Sequence, residues 1–389
     1  MAVTIKDIAR VVGVSPTAVS RALNGHRDIG EETRARIKRV AQEMGYRRNA
    51  IARGLVTNKT DTIGLFVLGR GSTGFGDPFA YEVILGVMDT VSAAGYDLVL
   101  YGVGGAPAAR RCAEASYVGK CRERRVDGVI MMGIRTDDPQ YHALGDLDVP
   151  CVLIDVAPPR DGIGFVASDN VLGAKQATEH LVSLGHRKIA MLNGHAHATV
   201  STERLEGYKI ALMNAGIAFD PALVFEGDFS KESGAQAADY FMMLPRAMRP
   251  TGVVVASDVM AIGLVQMLKV MAVRVPDDIS VVGFDDIPSA AHVDPPLTTV
   301  RQARYDLGAS AARMVLQRLE EGRTAIAFPP PGIRLATELV VRRSTAPAPA
   351  TAPSPSPSPS PSPPMRQTKA GSAPAARIAE PPGEEVQIG

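Results

Sequence analysis

The sequence predicts a small helical domain at the N-terminus, a larger α/β domain with parallel sheets, and a C-terminal tail. Residues 1–55 carry apolar side chains at helical spacing, short apolar strands alternate with helices from residue 61, and proline and serine dominate after residue 343. Strands that alternate with crossover helices are typical of parallel sheets. The chain has 389 residues, of which 46% are hydrophobic, so it is long enough for two or three domains.

Two short amphipathic helices are predicted within residues 1–25. Thr4 opens a capping-box pattern ahead of the first helix, and Gly13 ends that helix. Ser15 then offers an N-cap oxygen, and Pro16 suits the first turn of a second helix. A helix, a glycine turn and a capped helix form the helix-turn-helix arrangement, whose second helix enters the major groove of DNA.

Positive charge is concentrated in the same part of the chain. Residues 1–59 hold twelve Lys or Arg and five Asp or Glu, an excess of seven positive charges, whereas the whole chain has a formal net charge of +1. Such segregation is an electrostatic footprint for phosphate. A solvated basic face is the alternative interpretation, and the helix-turn-helix pattern favours DNA.

A third helical pattern covers residues 31–44 and would complete a three-helix core. Beyond Gly45, Asn49 can cap a short helix over residues 50–55. A helix of this length that contains a glycine is not stable alone, so we expect it to order only on a partner.

The α/β part is predicted as two series of elements. The first comprises strand 63–68, helix 79–94, strand 97–101, helix 111–124, strand 129–132 and strand 152–154. The second comprises helices 170–184, 201–214, 231–243 and 259–271 and strands 188–192, 223–225, 253–256 and 280–284. Irregular stretches at 158–164 and 290–296 interrupt the alternation, which favours two doubly wound lobes over one barrel.

Several classes of protein are disfavoured. The sequence contains neither a run of 18 apolar residues nor a charged leader followed by apolar residues, so we expect a cytoplasmic protein that does not span a membrane. Cys112, Cys121 and Cys151 lack a metal-binding spacing, and their odd number argues against a disulfide framework.

Residues 69–74 match the letters of the dinucleotide fingerprint, but residues 76–78 intervene before the next helix. A flexible loop is the better interpretation, so we predict no nucleotide cofactor. Nucleophile-elbow and metal-ligand patterns are also missing, and we therefore expect no metal and no enzymatic activity. The histidines considered for metal binding are His180, His186, His195 and His197.

Dense motifs run through most of the chain. They lie at residues 4–9, 13–15, 19–25, 33–37 and 45–55, and again at 153–155, 169–170, 180–190, 204–208, 257–263, 275–286 and 295–302. In these motifs the sequence resembles the LacI/GalR family of bacterial transcription regulators, to about residue 341.

The resemblance implies a headpiece, a hinge, and a periplasmic-binding-protein-like domain of two lobes joined by three crossovers. We expect the headpiece at 1–48, the hinge helix and linker at 49–60, and the effector-binding and dimerisation domain at 61–343. We further expect an N-lobe at 61–165 and 292–325, a C-lobe at 166–291 and 326–343, and a disordered tail at 344–389.

Base reading should fall to the exposed face of the second helix, where Thr17 and Arg21 are one turn apart. Arg21 is suited to a bidentate contact with guanine. Pro16 and Thr17 depart from the bulkier polar pairs that are common in the family. Side chains with a hydroxyl or amide group are placed to contact phosphates and set the register, namely Thr4, Ser15, Ser20, Asn24 and Thr33.

For the hinge, the resemblance implies a helix that folds on the operator and pairs with its dimer mate. Its leucine, Leu55, would enter the minor groove and kink the duplex, with Asn49, Ala52 and Arg53 alongside it. The alternative is that Leu55 is a linker residue that packs on the next domain.

For the effector, the resemblance implies that Asp155, Arg204 and Asp285 bind the hydroxyl groups of a sugar, with Ser257 and Gln302 at further positions of the cleft. Donors and carboxylate acceptors at loop ends suit vicinal diols. Alternatively, Arg204 or Asp285 pairs within the fold, or Asp285 and Asp286 form a turn or a pair between the lobes.

The tail has twelve prolines in residues 344–389 and lacks the leucine-heptad helix of the family's tetramers, so we predict a homodimer. Together these features predict a repressor that binds a palindromic double-stranded operator and responds to a small molecule, most plainly a carbohydrate. The alternatives are a purine or phosphorylated effector, or a soluble sugar-binding module.

Overall fold

The computed structural model of the chain describes residues 3–23, 28–46, 59–69, 77–103, 116–322 and 332–349. Within these ranges, no helix is both long enough and apolar enough to cross a lipid bilayer.

Three helices form the N-terminal domain: α1 (Ile5–Val12), α2 (Pro16–Leu23) and α3 (Glu31–Glu43). Their apolar faces meet in a small core, in which Ile8, Val19 and Ile37 are fully buried. The predicted three-helix arrangement is therefore confirmed. The core fixes α2 relative to α1 and leaves the opposite face of α2 exposed to solvent.

The first lobe, the N-lobe, is built on a six-stranded parallel sheet in the order β11-β5-β4-β3-β1-β2. Its strands are β1 (Thr62–Leu68), β2 (Asp97–Val103), β3 (Gly128–Met132), β4 (Cys151–Ile154), β5 (Gly164–Ser168) and β11 (Ile333–Leu335). Its helices are α4 (Pro78–Ala93), α5 (Tyr117–Arg124) and α10 (Arg304–Glu321). Apolar residues cover both faces of this sheet, as a parallel sheet requires.

The second lobe, the C-lobe, contains a six-stranded sheet in the order β12-β10-β9-β8-β6-β7, in which only the β10–β12 pair is antiparallel. Its strands are β6 (Ile189–Asn193), β7 (Val224–Glu226), β8 (Gly252–Val255), β9 (Ser280–Asp285), β10 (Thr298–Arg301) and β12 (Glu338–Val340). Its helices are α6 (Asn170–Ser183), α7 (Thr199–Asn214), α8 (Lys231–Met243) and α9 (Asp258–Val270).

The chain crosses between the lobes three times. It leaves the N-lobe after β5, returns between β10 and α10, and leaves again between β11 and β12. The expected lobe boundaries were partly wrong, because β10 lies in the C-lobe sheet although 292–325 was assigned to the N-lobe. Likewise, β11 lies in the N-lobe sheet although 326–343 was assigned to the C-lobe. Strands this short carry no local signal for the sheet that they join.

For the other predicted elements, most of the predicted first and last residues lie within two residues of the observed ones. Helix 231–243 agrees at both ends. The pattern missed β5, β10, α10, β11 and β12. The predicted helix at 111–124 begins at Tyr117 in the described residues, and residues 111–115 lie outside them, as does most of the glycine-rich stretch at 69–74.

Two glycines allow α4 and α10 to pack closely in the N-lobe. A Cβ atom added at Gly86 would lie 2.0 Å from the carbonyl oxygen of Tyr305, and one added at Gly308 would lie 2.0 Å from that of Val83. The two helices therefore contact each other backbone to backbone at both positions.

The predicted tail does not begin at Ser344, because the first residues of that segment are bound to the C-lobe. The Ser344 side chain is fully buried, donates to the Val281 carbonyl oxygen at 2.6 Å and accepts from the Thr298 amide at 2.8 Å. Further on, the Ala348 amide donates to the Leu184 carbonyl oxygen at 2.8 Å. The remainder of the predicted tail, from residue 350, lies outside the described residues.

Candidate nucleic-acid interface and ligand cleft

Local capping builds the helix-turn-helix. The Thr4 side chain accepts from the Asp7 amide while the Asp7 carboxylate accepts from the Thr4 amide at 3.0 Å, which is the predicted capping box. Gly13 ends α1 with a left-handed φ of 75°, and Ser15 Oγ accepts from the Ala18 amide at 3.1 Å. The predicted ends of α1 and the start of α2 are thus confirmed.

The two residues predicted to read bases lie on the exposed face of α2. Thr17 and Arg21 point away from the core that buries Val19. Arg21 Nη2 lies 3.0 Å from Asp28 Oδ2, and each of these side chains is about half exposed. Since exposed ion pairs are weak, the guanidinium of Arg21 can exchange this partner for a base edge.

Most of the residues predicted to contact phosphates are exposed, and two of them also cap helices. Thr4, Ser15 and Thr33 are exposed and Ser20 is half-buried. The hydroxyl groups of Thr4 and Ser15 also serve as helix caps. The predicted contacts Asn24, Asn49, Ala52, Arg53 and Leu55 lie outside the described residues.

Sequence reasoning missed two arginines that hold the helices of this domain together through bonds to backbone carbonyl groups. Arg36 donates to the Val12 carbonyl oxygen at the end of α1, and Arg34 donates to the Ile29 carbonyl oxygen at 2.9 Å. These guanidinium groups fix α3 against the turns on either side of α2. Part of the positive charge counted in the sequence therefore has a structural role.

The candidate ligand cleft lies where strands of the two sheets end, which is where open α/β sheets bind ligands. Arg204, on α7, is only 3% exposed. Its Nε donates to Asn170 Oδ1 at 2.9 Å, its Nη1 donates to the Ala256 carbonyl oxygen, and Nη1 lies 3.9 Å from Asp285 Oδ1. Its Cζ lies 3.8 Å from the centroid of the Phe284 ring. A guanidinium held in this way loses little further freedom when it binds an acceptor oxygen.

Asp285 closes strand β9 beside Arg204, with a φ of 122° that side chains rarely adopt. Its Oδ1 accepts from Gln302 Nε2 at 2.6 Å and its Oδ2 accepts from the Asp258 amide at 3.4 Å. Burial raises the pKa of Asp285 to about 7, although Arg204 opposes the shift. Strain of this kind is concentrated at functional sites.

Asp155 follows strand β4 on the N-lobe side, also with a positive φ, of 57°. Its Oδ1 accepts from the Ser168 amide at 3.2 Å. Burial raises the pKa of Asp155 to about 6, and the neighbouring Arg204 charge lowers it in part. Charge interactions therefore connect Asp155 of the N-lobe with Arg204 of the C-lobe.

Ser257 and Gln302, the two further residues predicted for the cleft, are buried. Ser257 caps α9 by accepting from the Met260 amide at 3.3 Å, so its hydroxyl has a structural role. Gln302 lies in the second crossover, and its Oε1 is buried without a hydrogen-bond partner among the described residues.

Asp286, the neighbour of Asp285, belongs to a separate cluster. Its carboxylate accepts from Arg301 at 2.7 Å and from Arg342 at 2.6 Å. These bonds lower the pKa of Asp286, against the effect of its burial. Asp286 therefore pairs within the fold with two arginines, while Asp285 pairs within the fold with Gln302 and Arg204, as the alternative interpretation expected.

Sequence reasoning missed several polar groups at the same end of the C-lobe sheet. Asn193 ends β6 and donates to the Ser201 carbonyl oxygen at 3.1 Å, while Asn193 Oδ1, Ser201 Oγ and His195 Nδ1 are buried and unpartnered within the described part of the chain. The Phe229 ring packs edge-on against His195 with 5.6 Å between centroids. The signal that was missed is that these residues follow β6 and β7, at the end of the C-lobe sheet where α7, the helix of Arg204, begins.

The two lobes contact each other along one side of the cleft. The Thr136 amide of the N-lobe donates to the His197 carbonyl oxygen at 3.0 Å, and the Ala157 amide donates to Thr199 Oγ1 at 3.2 Å. These bonds span the gap between the lobes, so they depend on the separation of the lobes.

Two family models match the chain. The family described as bacterial regulatory proteins, lacI family, matches residues 4–49, and a periplasmic binding protein-like domain matches residues 178–345. Among curated relatives, the HTH-type transcriptional regulator CelR of Thermobifida fusca is 35% identical over 88% of this chain and 98% of that protein. The HTH-type transcriptional repressor PurR of Vibrio atlanticus (strain LGP32) is 36% identical over 82% of this chain and 92% of that protein.

Solved structures give the same result. The complex of the transcriptional regulator CelR with cellobiose has a TM-score of 0.65 at 34% identity and covers 88% of this chain and 99% of that one. The lac repressor dimer bound to operator and the anti-inducer ONPF has a TM-score of 0.73 at 28% identity, with coverage of 89% and 100%.

Proposed function

The chain belongs to the LacI family of bacterial regulatory proteins, whose members are DNA-binding regulators controlled by ligands, and we propose that it is a repressor that binds a palindromic operator as a homodimer. We propose further that a neutral carbohydrate bound in the cleft controls its affinity for the operator. The cytoplasm, where the DNA lies, would be its place of action, and the cleft would bind its ligand without converting it.

The capped helix α2 supports the DNA-binding part of the proposal. Arg21 and Thr17 would read base edges in the major groove, while Thr4, Ser15, Ser20, Asn24 and Thr33 would contact phosphates. In the hinge, Leu55 would enter the minor groove, with Asn49, Ala52 and Arg53 beside it.

The buried guanidinium of Arg204 between Asp155 and Asp285 is the observation that carries the effector part. With Asp258 nearby, acidic groups outnumber basic ones around Arg204 in the described residues. An anion would have to compete with these carboxyl groups for Arg204, whereas a neutral polyol can form hydrogen bonds both with the carboxyl groups and with the guanidinium. Ser257 and Gln302 would complete the site. The similar CelR structure contains cellobiose, which makes that sugar the first probe.

A phosphorylated or purine ligand is the second candidate, since the curated relatives include repressors named PurR as well as CelR. The acidic surroundings of Arg204 disfavour a phosphate. A base would instead need the Phe229 ring and the unpartnered polar atoms of Asn193 and Ser201.

A dimer interface is proposed on the exposed face of α8 and α9. Met243 and Val270 are 85% and 81% exposed there, and a shallow cavity of about 320 Å³ is lined by residues that include Met267 and Val270. Exposed apolar side chains of this size favour a second copy of the chain as the occupant, and the similar lac repressor structure is a dimer.

Two experiments on the full-length protein test the proposal. Selection from random duplex DNA should enrich a palindrome, and its binding should weaken steeply with salt. Thermal shift should then be measured with cellobiose, glucose, adenine and inorganic phosphate, because a ligand at 100 times its Kd stabilises by about 2.7 kcal/mol.

A shift with a neutral sugar that is lost in Arg204→Met, together with a sugar-dependent change in operator affinity, would support both parts. A shift with adenine or phosphate alone would overturn the carbohydrate assignment. Failure to enrich any DNA sequence would overturn the repressor assignment.

A further inference from the structure

Asn170 lies where the chain first crosses from the N-lobe to the C-lobe. It is the first residue of α6, and its side chain is fully buried. Its Oδ1 accepts from Arg204 Nε at 2.9 Å, while its Nδ2 donates to Glu203 Oε2 at 2.9 Å and to the Ser168 carbonyl oxygen at 3.1 Å. One amide therefore joins the effector arginine to the first crossover.

Glu203 carries the connection back to the N-lobe. Its Oε1 accepts from Arg334 Nη2 at 2.8 Å, and Arg334 lies on β11 in the N-lobe sheet. The Glu203 side chain is only 14% exposed, so solvent screens this ion pair less than a surface pair. The ion pair consequently spans the two lobes.

The first and third crossovers lie side by side next to this ion pair. The Asp169 amide donates to the Leu335 carbonyl oxygen at 2.8 Å, and the Thr337 hydroxyl donates to the Asp169 carbonyl oxygen at 3.4 Å. A rotation of one lobe against the other must pass through these two segments, because they are two of the three connections between the lobes. The segments are therefore the pivot of any such motion.

We propose that Asn170 and Glu203 are positioning residues that couple Arg204 to this pivot. A ligand bound to Arg204 then changes the Glu203–Arg334 ion pair and the separation of the lobes. This inference rests on the proposed role of Arg204 as a ligand contact. It adds a physical route by which that contact reaches the N-lobe, whose first strand follows the DNA-binding helices in the chain.

A purely structural role makes a different prediction. If Asn170 and Glu203 only satisfy buried polar groups, then changes at Arg204 and at Arg334 act independently and their effects multiply. If they couple the two arginines, then losing either end releases the same connection and the effects do not multiply.

Amide hydrogen exchange of the ligand-free, full-length protein distinguishes these cases, with peptides that cover residues 165–172 and 332–340. We expect Arg334→Met to raise the exchange rate of these peptides about three- to tenfold, because the segments would open locally more often. We expect Arg204→Met to raise it similarly, and the double variant to exceed the larger single effect by less than twofold. Arg204→Lys, which keeps the charge but loses Nε, repeats the test if Arg204→Met does not fold.

Multiplying effects, or unchanged exchange of peptide 332–340 in the Arg204 variants, would overturn the proposal. Arg274→Met is the matched control, because it removes an exposed ion pair with Asp278 in the C-lobe. It should leave both peptides unchanged.

A rescue experiment tests the positioning role of Asn170 directly. Asn170→Asp keeps an acceptor for Arg204 but replaces the donor to Glu203 with a carboxylate, so it should open the pivot as Arg334→Met does. Adding Glu203→Gln restores a donor at the same place, so the exchange rate should fall below that of Asn170→Asp, to within about twofold of the rate of Glu203→Gln alone. Exchange that stays at the Asn170→Asp rate would contradict the role. Neither experiment uses DNA or a ligand, so their outcome is separate from that of the proposed function.

Discussion

The Gln302 side-chain amide donates to Asp285 Oδ1 at 2.6 Å, and this bond joins the end of β9 to the second crossover between the lobes. Asp285 is only 6% exposed, and its carboxyl group lies near the buried Asp258. Its ionisation therefore takes place in the protein interior and affects the stability of the protein.

Asp285→Asn is expected to reduce the dependence of stability on pH. Because burial raises the pKa of Asp285 from 3.8 to about 7, its contribution to stability is complete below pH 3.8 and is lost as the pH rises through 7. The free energy of unfolding of the unchanged protein should thus fall between pH 5 and pH 8, and by less in the variant. Urea denaturation at the two pH values measures this. The exposed Asp278, whose pKa is lowered, provides the control Asp278→Asn, and equal slopes for all three proteins would refute the expectation.

Arg21→Ala is expected to weaken operator binding by about 1–3 kcal/mol and to relax the preference at one base pair, which is the usual value of a bidentate contact. Asp28→Asn should strengthen binding, because the carboxylate that lies 3.0 Å from Arg21 no longer competes with DNA. Fluorescence anisotropy with the selected operator and with single-base variants measures both effects. An Arg21→Ala protein with unchanged sequence preference would exclude base reading by this residue.

We expect the C-terminal segment to contribute to stability up to residue 349 and not beyond it. Removal of residues 350–389 is expected to leave the melting temperature unchanged, whereas Ser344→Ala should cost about 1–3 kcal/mol, because it leaves the Val281 carbonyl and the Thr298 amide without a buried partner. Differential scanning calorimetry measures both. Equal melting temperatures for all three proteins would show that the segment contributes nothing to the C-lobe.

Gly308→Ala should destabilise the N-lobe by about 1–3 kcal/mol, since its Cβ would lie 2.0 Å from the Val83 carbonyl oxygen and force α4 and α10 apart. Gly119→Ala is the matched control within a helix, because among the described residues its Cβ would meet only Ser116 Cβ, at 3.6 Å. That change should stabilise by about 0.5–1 kcal/mol. Thermal unfolding of both variants checks the pair, and a Gly308→Ala protein as stable as its parent would contradict the close packing.

Local signals were sufficient for much of the fold. The ends of α1 depend on Thr4 and Gly13, whose effects act within one turn, so the sequence was enough to place them. Asp155, Arg204 and Asp285 were singled out through family motifs, and the structure brings both aspartates near Arg204. Their roles toward a ligand remain proposals.

Contacts between distant parts of the chain were not predictable in the same way. The partner of β11 in the N-lobe sheet is β5, some 165 residues earlier in the chain, and neither strand contains a feature that selects the other. In the sequence, Asn170 likewise looks like an ordinary residue at the start of a helix. Its role becomes visible only when Glu203 and Arg204 are brought beside it.

The sequence by itself determined the helical N-terminus, the alternating α/β pattern and the concentration of positive charge, because each depends on residues close together in the chain. Only the tertiary structure decided which sheet each short strand joins, that Ser344 belongs to the C-lobe, and that Arg334 reaches Glu203. Those features depend on pairings of backbone and side-chain groups whose energies exist only once the lobes are packed.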